Sequence, residues 1–391
     1  MKKLVFAAAL FLLSVCVFSA EMTCEEIKKE GVPPILYISR PSDAFLTFSV
    51  FVPNLSQPAS GVPHMAEHLI FASSREFESG ALDLMLESKG YSADAYTSCD
   101  FTCFRTVIRP EDLELVCSLF SRARSGPLFD EEELRLEKGI VKDEFYAGRD
   151  AGADGLRYRL LNALYGDTIY GLPLEGKDIG AITSEELRQY HKACYRPENY
   201  VFAAAGNIDK DLLARTVGRY FKTEGPAPLP EAPALKPAAG VTEISEGGRC
   251  GIAAPMATAE RLGEAVTCSV LSSLIYNAVR SRLKGSAPYY SHNTGRFASP
   301  FVLIVNSPEG KEICRQALAA VKEGRYTDAD LEAAKKLQLS DFLTRNQNGK
   351  SLTYQLGQMY ILHGLEAIGG YSDYISGVSR EDIKKAAEKY L

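Results

Sequence analysis

The sequence predicts an α+β fold of two homologous domains, each a mainly antiparallel β-sheet packed with α-helices on one side. Strand-like and helical patterns come in blocks, which is typical of this class. A proline-rich stretch, 226–237, divides the chain. Beyond it, the segment 378–383 weakly repeats 182–187, and each copy opens a helix that ends near a tyrosine. These observations indicate a duplicated domain on either side of a linker.

Residues 1–20 are predicted to be a secretory signal peptide. Lys2 and Lys3 precede an apolar run, 4–18, that is followed by small residues. Spanning a bilayer takes about 20 apolar residues, so an uncleaved anchor is the weaker interpretation. A lipid anchor on Cys16 is an alternative, although the residue before it fits such a signal poorly. We expect secretion across the inner membrane to the periplasm, and no transmembrane span in the mature chain.

Composition limits the classes of partner. The mature chain is long enough for two or three domains. A net charge of −6 and a pI of about 5.6 argue against nucleic acid, because no basic stripe is available to bind phosphates. Disulfides are an option in an oxidising compartment, but spacing does not decide which of the remaining cysteines would pair.

The proline-rich stretch is predicted to lie in an extended interdomain linker, 223–240, because it can build neither a ladder nor a helix. A proline-rich recognition ligand is the alternative. The linker separates domains 21–222 and 241–391. After Tyr195 the first domain continues through a strand and a helix, whereas the second stops just after Tyr390. We therefore expect a shortened second domain.

The first predicted elements surround a helix that contains histidines. The run 46–52 is rich in β-branched and aromatic residues and is predicted to be a buried strand. The next helix starts at Pro63, whose missing N–H costs nothing in a first turn. A short amphipathic helix over 80–89 ends at Gly90, a residue type common after helix ends.

Two strands and two helices follow. Segments 91–97 and 100–108 are predicted to be a pair of strands, since side chains alternate in character along the second. A helix is expected from Arg109, and another over 129–149 after an acidic first turn.

The helix from Pro63 carries the pattern His-x-x-Glu-His. At ~100° per residue, His64, Glu67 and His68 share one face. Two imidazoles one turn apart form a bidentate zinc site, and a catalytic zinc takes three protein ligands and a water. Glu67 is then left to act as a base, which is the inverted zincin arrangement. The alternative is a pair of ordinary polar histidines.

The third ligand is expected on the helix over 129–149. Glu137 and Glu144 are seven positions apart, about two turns, and share a face. The same helix carries five other carboxylates, and an acidic helix is usually a solvated face. The helix pattern alone therefore does not single out a ligand.

The spacing between the histidines and these glutamates resembles that of the pitrilysin/insulysin family of zinc metallopeptidases, the inverzincins, which include the mitochondrial processing peptidases. The resemblance implies that His64, His68 and Glu144 hold one zinc ion per chain. It also implies Glu67 as the general base and Glu137 as an outer carboxylate that orients an imidazole or the water network.

Segment 90–97 resembles the family's Gly-x-x-x-Asn-Ala-x-Thr strand, whose exposed edge pairs with the substrate backbone. The resemblance implies substrate contacts at Ala93, Asp94, Ala95 and Thr97. Asp94 stands where asparagine is usual. An aspartate keeps the hydrogen-bond acceptor of the asparagine side chain but lacks its amide donor.

In active relatives the second domain contributes an Arg and a Tyr, seven apart, that bind substrate and stabilise the tetrahedral intermediate. Arg282 and Tyr289 have this spacing, although Arg280 and Tyr290 lie close by. The second domain has no His-x-x-Glu-His motif.

The predicted function is that of a secreted zinc endopeptidase acting on peptides. Relatives enclose their substrates between four such domains, so the resemblance implies a homodimer or a heterodimer with a related chain. The alternative is a non-catalytic scaffold or peptide-binding subunit of a related hetero-oligomeric peptidase. Zinc binding for structure or storage is a third interpretation, for which four ligands would be expected.

Overall fold

The computed structural model describes residues 23–55, 61–146, 151–172, 179–228, 235–285 and 287–391. The predicted signal peptide and Cys16 lie outside the described residues, as does the centre of the predicted linker. Below, the first half means residues 23–228 and the second half means residues 235–391.

The first half builds a six-stranded sheet. Its strands are β1 (Glu25–Ile27), β2 (Ile35–Ser39), β3 (Leu46–Pro53), β4 (Ala93–Thr97), β5 (Phe101–Ile108) and β6 (Val201–Gly206). They lie in the order β1-β2-β6-β3-β5-β4, so β4 is an edge strand. β2 and β6 run parallel, and the other neighbours are antiparallel.

The second half builds a smaller, antiparallel sheet. Its strands are β7 (Thr242–Glu246), β8 (Arg249–Pro255), β9 (Tyr289–His292) and β10 (Pro300–Asn306). Their order is β7-β8-β10-β9. Among the described residues, no strand of this sheet corresponds to β6, and β7 pairs directly with β8.

Helices pack on both sheets. Those of the first half are α1 (Val62–Leu69), α2 (Ala81–Glu87), α3 (Leu113–Ser125), α4 (Glu131–Tyr146), α5 (Ala151–Tyr165), α6 (Ser184–Cys194) and α7 (Lys210–Tyr220). Those of the second half are α8 (Leu262–Arg280), α9 (Gly310–Lys322), α10 (Asp328–Arg345), α11 (Gly349–His363), α12 (Glu366–Gly377) and α13 (Arg380–Tyr390). The predicted α+β class is confirmed.

The predicted repeat between the halves corresponds to two similar helix starts. Thr183 caps α6 and forms a capping box with Glu186. The Thr183 side chain accepts a hydrogen bond from the backbone N–H of Glu186, and the Glu186 side chain accepts one from the backbone N–H of Thr183. Ser379 and Asp382 form the same box at the start of α13. The two copies therefore share the local chemistry that begins the helix.

One helix of each half packs on the sheet of the other half. α11 packs on the face of the first sheet that carries Phe51, Cys103 and Ala203. In return, α5 packs on the face of the second sheet that carries Ala253 and Val302. The sequence analysis placed helices on one side of each sheet, and this was wrong, because the periodicity of a helix does not show which sheet it will cover.

α11 lies unusually close to strand β3. Gly349, Thr353 and Gly357 recur every four positions, a rise of about 6 Å on a helix. They face alternate residues of β3, which recur every ~6.7 Å. A Cβ at Gly349 would lie 2.1 Å from Thr47 Oγ1, and one at Gly357 would lie 2.2 Å from the ring of Phe51.

Between these two glycines, the Ser49 hydroxyl donates to Thr353 Oγ1 over 2.8 Å. Both side chains are fully buried, so this hydrogen bond satisfies polar groups that could not reach water. Helix and strand thus match in spacing, shape and hydrogen bonding.

α8 runs through the core of the second half. By length and composition it could cross a membrane, which the sequence analysis did not anticipate, but 67% of its apolar window is buried in the fold. The expectation of no transmembrane span in the mature chain stays a prediction.

The cysteines of the described residues form no disulfide bond with one another. Cys250 of β8 and Cys314 of α9 hydrogen-bond to each other, which lowers the pKa of the Cys250 thiol.

We expect Gly357→Ala to lower the free energy of unfolding by about 1–3 kcal/mol, because the added methyl group overpacks against Phe51. The matched control is Gly369→Ala on α12, where an added Cβ meets nothing within 4 Å. That change should be neutral or stabilise by about 0.5–1 kcal/mol. Urea denaturation of both variants tests the contact, and equal effects would contradict it.

Candidate metal centre and substrate cleft

α1 begins at the predicted histidine motif. Gly61 precedes it in the left-handed region, with φ of 93°, and Pro63 lies in the first turn. Val62, Met65 and Ala66 are buried. The opposite face of the helix is thereby turned toward α4 and the cleft, and it carries the motif's polar side chains.

His64, His68 and Glu144 converge on one point. Glu144 Oε2 lies 3.4 Å from His68 Nε2 and 4.0 Å from His64 Nε2, and all three donor atoms lie within 4.8 Å of one another. Ligands at ~2.0–2.2 Å from a tetrahedral zinc are roughly 3.3–3.5 Å apart, so this donor set fits zinc after a small adjustment. The side chain of Glu144 is 51% exposed, which leaves the centre open toward solvent.

Glu137 fixes the orientation of one imidazole. Its Oε2 lies 2.9 Å from Nδ1 of His68. With Nδ1–H donating to this carboxylate, the lone pair of Nε2 faces the side where Glu144 lies. The structure therefore places Glu137 where an outer carboxylate would hold a metal ligand in the required tautomer.

The carboxylate of Glu67 reaches from α1 to strand β4. The buried hydroxyl of Thr97 donates to Glu67 Oε2, and Thr97 Oγ1 also lies 3.0 Å from Thr102 Oγ1. Burial raises the pKa of Glu67 above its usual value, while the Thr97 hydroxyl and the nearby His68 counteract part of that rise. Thr97, which the resemblance assigned to substrate, thus holds the carboxylate next to the metal centre.

A cleft of about 810 Å³ opens in front of His64 and Glu67. Both halves line it: β4 and α5 belong to the first half, and the loop 293–295 and α11 to the second. Ala95 and Thr97 of the predicted substrate strand line this cleft, and Ala93 lies at the far end of the strand.

Asp94 is held in ion pairs on this edge strand. Its carboxylate contacts Arg105 on β5 and Lys350 at the start of α11. Burial raises the pKa of Asp94, but the two cations outweigh this effect and the net pKa is lowered. The aspartate therefore links the edge strand to a helix of the second half. An asparagine at this position could accept hydrogen bonds from the two cations but would not neutralise their charge.

The structure does not bring Arg282 or Tyr289 into the cleft. Arg282 is exposed beyond the end of α8 and donates to the carbonyl of Ala278, and Tyr289 is 41% exposed at the start of β9. Neither lines the cleft. Tyr290 faces the opposite side of the strand and packs on Tyr276. Spacing alone does not decide which way each of these side chains turns, and the predicted role of the pair has no support from this placement.

Several cleft residues were missed by the sequence analysis. They are Arg157 and Tyr158 of α5, Arg345 of α10 and Tyr354 of α11. No local pattern distinguishes them, because they come from three helices that only the tertiary fold brings together at the cleft.

A two-half α+β fold with His-x-x-Glu-His on one helix and a glutamate on a second helix defines a protein of the inverted zincin class. Comparison of sequences agrees. The sequence profile of insulinase, peptidase family M16, matches residues 54–178, and that of the peptidase M16 inactive domain matches residues 181–338. The chain belongs to the insulinase (M16) family, which confirms the predicted resemblance. The match to the M16 inactive domain starts in the first half, before α6, and covers most of the second half.

The chain is similar to other proteins over part or most of its length. A Streptomyces coelicolor protein named an uncharacterized zinc protease is 25% identical over 362 residues, 85% of this chain and 78% of that protein. The mitochondrial-processing peptidase subunit beta of Saccharomyces cerevisiae is 25% identical over 199 residues, 48% of this chain and 43% of that subunit. A solved protease structure from Helicobacter pylori shares the fold, with a TM-score of 0.78 at 19% identity over 94% of this chain and 96% of that one.

We expect His64→Ala and Glu144→Ala to abolish stoichiometric zinc binding, since each removes one of three donors. Glu137→Ala should weaken zinc binding about 10–100-fold, because the His68 tautomer is no longer fixed. Elemental analysis after dialysis and competition with a chromogenic chelator measure both effects. Glu132→Ala, on the exposed face of the same helix, is the control. Zinc bound equally well by Glu144→Ala would show that another group is the ligand.

We expect Asp94→Asn to lower the free energy of unfolding at neutral pH, because Lys350 and Arg105 lose their anion. A lowered folded-state pKa means that this stabilisation is present above the usual aspartate pKa of about 3.9 and is lost as pH falls through the lowered value. The difference from wild type should therefore narrow in acid. Denaturation at a series of pH values tests this, and a constant difference would contradict it.

Proposed function

We propose that the protein is a zinc-dependent endopeptidase that hydrolyses peptide bonds with an activated water. One observation carries the proposal. His64 of the three-donor cluster, Glu67 and the edge strand β4 all border a single cleft, and His68 and Glu144 converge with His64. Membership of the insulinase family and the zinc proteases among its relatives support it.

The chain's own side chains supply the acid–base chemistry. Zinc held by His64, His68 and Glu144 would act as a Lewis acid that polarises a carbonyl and a water. Glu67, held by Thr97, takes the proton from the attacking water and passes it to the leaving amine. Burial of Glu67 favours this proton transfer, because it raises the pKa of the carboxyl group toward the pH at which the enzyme would act.

Strand β4 positions the peptide. As the edge strand of its sheet, it offers backbone N–H and C=O groups to an added strand. Backbone pairing tolerates many sequences, so the peptide would be held by its main chain while side chains enter the cleft. Thr97 of this strand hydrogen-bonds to Glu67, so a peptide paired with the strand lies within reach of the donor cluster.

Secretion and assembly are further parts of the proposal. The charged and apolar start of the chain supports export to the periplasm, with a lipid anchor at Cys16 as the alternative. The similarity to one subunit of a mitochondrial processing peptidase supports a dimer, with a second copy or with a related chain. One zinc ion per chain follows from a motif that occurs once.

A second candidate is a peptide-binding or scaffold subunit without activity of its own. The observation that favours it is the position of Arg282 and Tyr289 outside the cleft, which leaves the oxyanion without the expected donors. Such a subunit would bind peptides and zinc but cleave nothing unless a partner is added.

We expect Glu67→Gln to keep its zinc and to lose cleavage by about 10²–10⁴-fold, because the amide cannot accept the proton. The measurement is mass spectrometry of an unstructured peptide mixture incubated with the purified mature chain. Chelation should abolish wild-type cleavage, and added zinc should restore it. Wild-type protein that binds zinc and cleaves nothing would overturn the self-sufficient enzyme and favour the subunit.

A further inference from the structure

Helix α5 forms one wall of the cleft. Although it belongs to the first half, it packs on the second sheet through its leucines and presents its other face to the cleft. That face carries Asp154, Arg157, Tyr158 and Leu161. Arg157 is a charged side chain to which neither the proposed mechanism nor the metal centre assigns a role.

Among the described residues Arg157 forms no ion pair, and its Nε is buried without a hydrogen-bond partner. Its guanidinium lies over the ring of Tyr158, 5.2 Å from the centroid. The two other arginines of the cleft are paired, Arg105 with Asp94 and Arg345 with Asp341. A partly buried cation without an anion is costly, which points to an anion brought by the ligand.

The position of Arg157 is close to the peptide-binding edge. Burial raises the pKa of Tyr96 on β4, and the positive charge of Arg157 counteracts part of that rise. The same charge acts on Cys99, in the turn after β4. Arg157 therefore lies beside the end of the strand on which a peptide would pair, and in the same cleft as Glu67.

We infer that Arg157 binds a carboxylate of the peptide substrate, carried either by an acidic side chain or by a free C-terminus. This inference rests on the proposed peptidase function. A guanidinium presents a planar fork of donors that matches a carboxylate. Asn293 and Thr294, from the second half, line the same cleft and offer further polar groups to such a substrate.

Asp154 limits this preference to one position. It lies one turn before Arg157 on the same helix, lines the cleft, and forms no ion pair with it among the described residues. A second carboxylate placed near Asp154 would be repelled. We therefore expect a single acidic residue to be favoured, and acidic residues elsewhere to be tolerated less well.

The test uses variants of one neutral peptide whose cleaved bond is known. Glu, Gln or Lys is placed at successive positions on either side of that bond, and each peptide is made with a free and with an amidated C-terminus. The enzymes are wild type, Arg157→Gln, Arg157→Lys and Arg157→Glu. The control is Arg159→Gln, which removes an arginine of the same helix that is exposed and paired with Glu246. Thermal unfolding monitored by circular dichroism checks that each variant is folded.

We expect wild type to prefer Glu over Gln at one position by roughly tenfold or more in kcat/KM, or to lose a similar factor on amidation. The first result identifies an acidic side chain as the ligand and the second identifies the C-terminus. The preference should vanish in Arg157→Gln, survive in part in Arg157→Lys, turn toward Lys in Arg157→Glu and remain in Arg159→Gln.

A wild type indifferent to Glu and to amidation, or a preference that survives in Arg157→Gln, would overturn the inference and leave the peptidase intact. If no peptide is cleaved, the proposed function fails by itself. Fluorescence anisotropy then decides the inference, with labelled Glu and Gln peptides bound to wild type and to Arg157→Gln. Selective loss of the Glu peptide supports the role of Arg157, and equal binding overturns it.

Discussion

The close contact between helix α11 and strand β3 determines where the walls of the cleft lie. Gly349 and Gly357 allow the helix to sit directly on the sheet, and the hydrogen bond between Ser49 and Thr353 fixes its register. The same sheet carries β4 at its edge, so Tyr354 of the second half meets Tyr96 of the first, with ring centroids 5.4 Å apart. In the other direction, α5 fits against Gly251 of β8. Because the halves are interlocked, residues from both line one cleft.

Two polar groups of the metal centre, His68 and Glu67, are each held by a second polar group that has no direct part in binding metal. Glu137 holds the His68 ring, and Thr97 holds Glu67. Such pairs keep donors and base in one geometry before any ligand arrives, which removes the cost of ordering them later. Strand β4 has the same kind of support, because Lys350 reaches Asp94 from the second half.

The convergence of the motif side chains could be predicted from the sequence because it is local. His64, Glu67 and His68 lie within two turns of one helix, so the helical period places them on one face. Glu144 required the family resemblance, since its own helix offers many carboxylates. The exchange of α5 and α11, and with it Arg157 and Tyr354, could not be read from periodicity, because a buried helix face does not reveal which sheet covers it. Arg282 and Tyr289 were chosen by their spacing in the sequence, and spacing does not show where a side chain points.

The interlocked helices also have a consequence for biosynthesis. When the first half leaves the ribosome, Leu156 and Leu160 of α5 have no sheet to cover, and Phe51 and Cys103 have no helix above them. The face of α5 stays exposed until the second sheet has been made, as far as residue 306, and the face of the first sheet stays exposed until α11 has been made, as far as residue 363. The halves therefore reach their native state together rather than one after the other, and a nascent chain that pauses between them offers surfaces on which chaperones act.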